Sequence, residues 1–226
     1  ASVECASKAG ICSLAVENES EALAMARDLI SLLPSNNLSG VPVADLSAPA
    51  VPAAMGAADD MAAVFGAVAD EGGYWELYPS YGTAAMVALA QVSGATVGLV
   101  GFNGVIDSAS CSKGARFVRF CDAFSIPVVS FVNASEFASL REAVKLSTSY
   151  AEATTAKITV ITGSAYGPVY IALAGRGANA DYTMAWSDAV VSAMAPAAAA
   201  LFLESKSLKG AENPVEARKK LIADYT

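Results

Sequence analysis

Apolar positions at Leu23, Ala26, Leu29, Ile30 and Leu33 recur at helical spacing behind a capping box of Asn18 and Glu21. They predict a helix that stops at Pro34. Residues 35–54 hold Pro, Ser, Asn and Ala without periodicity and read as a linker or a surface arm. A helix over 59–69 and a short strand over 74–78 follow. From Thr83 the pattern changes to unbroken apolar segments, 84–91 and 95–102, separated by Ser93-Gly94. These read as buried strands joined by a tight turn. A helix over 112–124 places Phe117, Phe120, Cys121 and Phe124 on one face. Beyond it come a β-branched strand (126–132), a helix (135–154), a strand (158–162), a glycine-bearing turn (163–167) and a helix over 170–174. Short strands over 182–186 and 189–194 precede a helix that starts at Pro196, and Asn213-Pro214 opens a last helix through Ile222. Strand alternating with helix implies a parallel sheet with right-handed crossovers, an α/β class.

Composition narrows what such a fold can do. The chain has 226 residues, which favours one domain. It is 54% hydrophobic with a mean hydropathy of +0.45, which excludes an intrinsically disordered chain. Fourteen Lys and Arg against twenty-two Asp and Glu give a net charge of −8. The Arg218-Lys219-Lys220 run is the one basic cluster, so nucleic acid is not expected as a partner. The absence of histidine removes Ser-His-Asp and Cys-His catalysis and His-ligated zinc. Cys5, Cys12, Cys111 and Cys121 form no C-x-x-C pair and read as reduced core thiols; no metal site is expected. The longest apolar run, 189–203, is interrupted by Ser192 and Pro196 and falls short of the ~20 residues of a membrane span. Residues 1–11 carry no apolar leader core. A soluble, cytoplasmic protein is expected.

Two stretches carry candidate chemistry. Gly175-x-Gly177-x-x-Ala180 has dinucleotide-fingerprint spacing but follows a helix where that motif must follow a strand. The turn at 162–170 is more suggestive. Its small residues let a ligand approach the backbone, and the next helix begins with free N–H groups, a natural oxyanion site. Ser164 lacks a base to act as a nucleophile. Taken alone, the turn reads as a close-packed strand–helix junction before it reads as a site.

A resemblance shifts that balance. Residues 115–129 (ARFVRFCDAFSIPVV) are similar to the ARFIRFCDAFNIPLV segment of the biotin-dependent acyl-CoA carboxyltransferases. Flanking segments agree in order: 32–37 (LLPSNN), 70–81 (DEGGYWELYPSY), 104–107 (GVID), 150–154 (YAEAT), 157–160 (KITV), and Ala180-Asp181-Tyr182 with Ala185-Trp186. The resemblance implies a crotonase-like (ClpP/crotonase) α/β fold of repeated ββα units with an N-terminal arm. It further implies a boundary between a helix and linker arm (1–54) and a domain (55–226) of the family's second, carboxybiotin-receiving type, incomplete at its C-terminal end relative to the family.

The chemistry implied is movement of a carboxyl group between biotin and the α-carbon of an acyl-CoA. Negative charge then builds on the thioester and ureido oxygens, where backbone donors suffice. Cofactor and substrate would be biotin on a biotin carboxyl carrier protein and a coenzyme A thioester. The partner would be an N-terminal-type carboxyltransferase half, in a homo- or hetero-oligomer. Carried onto this chain, the family's KAYGGAY turn falls on 164–170 (SAYGPVY). The amides of Gly167 and Val169 would be the oxyanion donors, and Tyr166, Pro168 and Ile171 would line the biotin and acyl pocket. Two departures stand out. Pro168 has no N–H, and the family's glycine-rich DVPGFLPG reads NASEFASL at 133–140. They leave a second reading, a non-catalytic structural subunit of a carboxyltransferase complex. A lone acyl-CoA hydratase is a third reading, disfavoured because no glutamate sits in the turns.

Overall fold

The computed structural model describes residues 2–44, 59–71, 73–175, 178, 180–203 and 213–224. It opens with α1 (Val3–Lys8), a short helix that the apolar pattern does not announce, capped by the Ser2 hydroxyl accepting the Cys5 N–H at 3.3 Å. Helix α2 (Glu19–Leu32) begins where the capping box predicts, with Asn18 Oδ1 accepting the Glu21 N–H at 2.9 Å. Asp60 caps α3 (Met61–Val68) in the same way. Next come β1 (Tyr74–Leu77), β2 (Ala85–Val92), β3 (Ala95–Ile106), α4 (Ser108–Ala123), β4 (Val128–Phe137), α5 (Leu140–Glu152) and β5 (Lys157–Tyr166). The chain continues through α6 (Pro168–Leu173), β6 (Tyr182–Ala185), β7 (Val190–Ser192), α7 (Pro196–Leu203) and α8 (Pro214–Asp224).

The strands form one sheet in the order β1-β2-β3-β4-β5-β6. The β1–β2 and β2–β3 pairs are antiparallel, while β3–β4, β4–β5 and β5–β6 are parallel. Strand β7 also pairs with β5, beyond β6, at Ser164 to Tyr166. Ser93 and Gly94 both take left-handed backbone in the β2–β3 turn, the geometry a two-residue hairpin requires. The Asp70 carboxylate holds that turn by accepting the Ser93 and Gly94 N–H groups at 2.9 and 2.7 Å.

Alternation along the strands sends side chains to two layers. On one face Val87, Val100, Phe102, Val128, Val132 and Ile161 join Val118 of α4, Leu146 of α5 and Val169 of α6 in the main core. On the other, Ala88, Ala90, Leu99 and Phe131 pack against Val64 and Phe65 of α3. Leu32 of α2 lies in the main core, so the amino-terminal helix packs on the same body. The rest of the expected arm, 45–54, lies outside the described residues.

Where strand pairing overrides local preference, the elements differ from expectation. Strand β3 runs on to Ile106, and residues 133–137, expected as helix, continue β4 because Gly104 to Ile106 pair with Ala134 to Phe137. Residues 163–166, expected as a turn, remain strand, since Ala134 pairs with Ala165 and β7 flanks the other edge. Among the described residues no helix is long and apolar enough to cross a membrane.

Candidate functional site

Parallel strands β3, β4 and β5 end at one edge of the sheet, the edge where open α/β folds bind ligands. A row of polar side chains crosses that edge. Asn103 Nδ2 donates to the Asp59 carbonyl at 2.8 Å, and Asn133 Nδ2 donates to Asn103 Oδ1 at 3.1 Å. Asn133 Oδ1 accepts the Ser164 N–H at 2.9 Å, and the Ser164 hydroxyl bonds the Tyr166 hydroxyl at 3.1 Å. The β4–β5 register slips between Val132 and Ala134, which places Asn133 at the irregularity. A Cβ at Gly163 would overlap the Asn133 amide. Sequence pattern alone does not announce the row. Its signal, an asparagine near the end of each of two adjacent parallel strands, is visible only once the pairing Asn103–Asn133 is known.

The row ends at the turn that the sequence singles out. Gly167 has φ +43° and ψ −110° and pivots the chain from β5 into α6, whose first residue is Pro168. Glycine is required there: the conformation is left-handed, and a Cβ would stand 2.7 Å from the Ala193 carbonyl oxygen. Pro168 suits a first helical position with its preset φ.

The five expected site residues come together at this turn, but the two expected donors are not open. The Gly167 N–H donates to the Ser192 carbonyl of β7 at 2.9 Å. Val169 is completely buried in the main core, its backbone with it. The expectation that both amides face a ligand is therefore corrected: pairing with β7 occupies one and core packing covers the other. Tyr166 is half-buried, while Pro168 and Ile171 are exposed, Ile171 at 62%. With Tyr170 they form the outward face of α6. Among the described residues, no group of three or more His, Cys, Asp or Glu is placed to hold a metal. The Gly175–Ala180 stretch lies partly outside the described residues.

Known proteins agree on this architecture. The methylmalonyl-CoA decarboxylase subunit alpha of Veillonella parvula is 34% identical over 224 residues, 88% of this chain and 44% of its own length. The mitochondrial propionyl-CoA carboxylase beta chain of Homo sapiens is 33% identical over 240 residues, 96% of this chain and 44% of its own. A solved structure of transcarboxylase 12S, a hexamer with methylmalonyl-coenzyme A and methylmalonic acid bound, superposes with a TM-score of 0.84. It is 30% identical and is matched over 99% of this chain and 48% of that one. The chain thus spans about half the length of these relatives. The α/β crotonase-like fold expected from the sequence is the one observed. The family model of the carboxyl transferase domain matches residues 3–226, and the chain belongs to that family.

Proposed function

We propose that this chain supplies the carboxybiotin side of a carboxyltransferase. Carboxyl would pass between biotin on a carrier protein and an acyl-CoA presented by an N-terminal-type partner half. The observation that carries this reading is the likeness to transcarboxylase 12S over 99% of the chain at a TM-score of 0.84. The chain matches 44% of the length of each of these two relatives.

The turn does not by itself fit a ureido oxygen, because its glycine amide is engaged by Ser192 and its proline has none. What the chain does offer is the exposed face of Pro168, Tyr170 and Ile171, next in the chain to the half-buried Ser164 and Tyr166 that end the asparagine row. The engaged Gly167 amide favours the second reading, a non-catalytic half that completes the assembly while its partner carries the chemistry.

Reconstitution with a partner half and a biotinylated carrier separates the two. Under the proposal, the chain raises carboxyl transfer to acyl-CoA well above that of the partner alone. Ile171→Asp lowers the rate at least tenfold with an unchanged melting temperature, because Ile171 is exposed and its replacement leaves the core intact. A rate equal to that of the partner alone would leave only the second reading, and equal rates for Ile171→Asp and parent would remove the outward face of α6 from the reaction.

A further inference from the structure

Away from the turn, a cavity opens between the amino-terminal segment, the end of β1 and helix α4. Its volume is about 630 Å3, within the roughly 300–1,000 Å3 of small-molecule sites. Leu29, Leu33, Leu77, Leu89, Phe117 and Phe120 make it apolar. Two guanidinium groups, Arg116 and Arg119, line it as well, and no carboxylate does among the described residues. On a chain of net charge −8, a cation pair beside an apolar cavity is a local exception.

The two arginines differ in state. Arg116 donates to the Gly10 carbonyl and to the Tyr78 hydroxyl, each at 3.1 Å, and lies 4.9 Å from the centre of the Tyr78 ring. It is fixed, with donors to spare. Arg119 is exposed, and its guanidinium makes no hydrogen bond or ion pair among the described residues. Beside Arg116, Tyr78 holds left-handed backbone at φ +57°, a strained conformation for a residue with a side chain. It is held there from several sides. Its N–H donates to the Ser13 carbonyl at 2.8 Å, and its own carbonyl accepts Lys113 Nζ at 2.9 Å and the Tyr81 N–H at 3.1 Å. Strain that the surroundings over-determine is a feature of ligand clamps.

These walls suit one class of molecule. A small hydrophilic anion would leave the leucines and phenylalanines wet, and a neutral hydrocarbon would gain nothing from the two guanidinium groups. A carboxylate on a hydrocarbon chain satisfies both, since a guanidinium binds a carboxylate through paired, charge-assisted hydrogen bonds. We propose that this cavity binds a long-chain carboxylate, its hydrocarbon along Leu29, Leu77 and Phe120 and its carboxylate at Arg119 beside Arg116. The site is separate from the α6 turn, so it stands or falls independently of carboxyl transfer.

Titration of the full chain with cis-parinaric acid, a fluorescent polyene carboxylate, tests it directly. The expected result is saturable binding at one site, with Arg119→Glu weakening it by about tenfold or more. The uncharged methyl ester should bind more weakly to the parent and equally to parent and variant. Arg119 is exposed, so the variant should keep the parent's melting temperature, which reports that it is folded. Absence of saturation, equal binding of the acid by parent and Arg119→Glu, or equal affinity of acid and ester for the parent would overturn the proposal.

Discussion

Lys113 is 2% exposed on α4 and is balanced by a backbone carbonyl, that of Tyr78, rather than by a carboxylate. Burial pulls its ammonium down from 10.5 to about 8, opposed by the attraction of Glu76. Between pH 8 and 10.5 the unfolded chain then binds a proton that the folded chain has released, so this residue makes stability rise with pH across that window. Below pH 8 both states are charged and the full cost, ~3 kcal/mol, falls on the folded state. Buried Cys121 and Tyr150 act in the opposite sense. Desolvation raises both, so their protons are lost first from the unfolded chain and stability falls in alkali. Lys113→Met isolates the lysine because those groups cancel in the comparison. Urea unfolding at pH 7.5 and 9.5 should show the parent gaining on the variant by about 1–2 kcal/mol as pH rises. An unchanged difference would mean that the ammonium is not desolvated.

At the scale of elements, β4 and β5 meet through Asn133 and Gly163. Gly163→Ala puts a methyl against the Asn133 amide, an overpacking cost of about 1–3 kcal/mol. Asn133→Ala frees the Ser164 N–H and breaks the link to Asn103, a loss of roughly 1–3 kcal/mol. Without the asparagine the methyl has room, so the double variant should lose less than the sum of the two, measured by chemical denaturation. Additivity within ~0.5 kcal/mol would show that the two positions do not press on each other. The same elements mark how far the sequence is legible. Helix α2 was, because its capping box is local, and so was the β2–β3 hairpin, because Ser93-Gly94 is itself a turn signal. Residues 133–137 were not. Small and polar, they suit a helix start as well as a strand, and the pairing of Val105 with Glu136 and Ile106 with Phe137 decides the matter. The candidate site divides in the same way. Gly167 and Pro168 announce a sharp entry into α6, but the carbonyl that occupies the Gly167 amide comes from Ser192, on a strand that docks only when the sheet is assembled.

Across the whole molecule, the layer that covers the second face of the sheet stops short of β6 among the described residues. Helix α3 packs over β2, β3 and β4, where Phe65 meets Phe131 with ring centres 5.8 Å apart. Farther along that face, Val160 of β5 stands beside Met184 of β6, and Tyr182 stands beside Ile158. The intervening Thr183 turns the other way, its hydroxyl donating to the Ala174 carbonyl at 2.9 Å. Tyr182 is 70% and Met184 53% exposed in this chain, and both lie on the strand that follows α6, whose Tyr170 and Ile171 are also exposed. Side chains of this size left in water forgo on the order of 1.5–3 kcal/mol each that burial would supply, and a chain carrying −8 associates only where apolar contact outweighs its own repulsion. A partner half laid against β6 would cover them. Sedimentation should therefore show the chain in a complex with the partner half at micromolar concentration. Met184→Glu should sediment as separate components while keeping the parent's circular dichroism, since an exposed substitution leaves the fold intact. Complex formation by the glutamate variant at the parent's affinity would remove this strand from the interface and leave the outward face of α6 as the surface to test next.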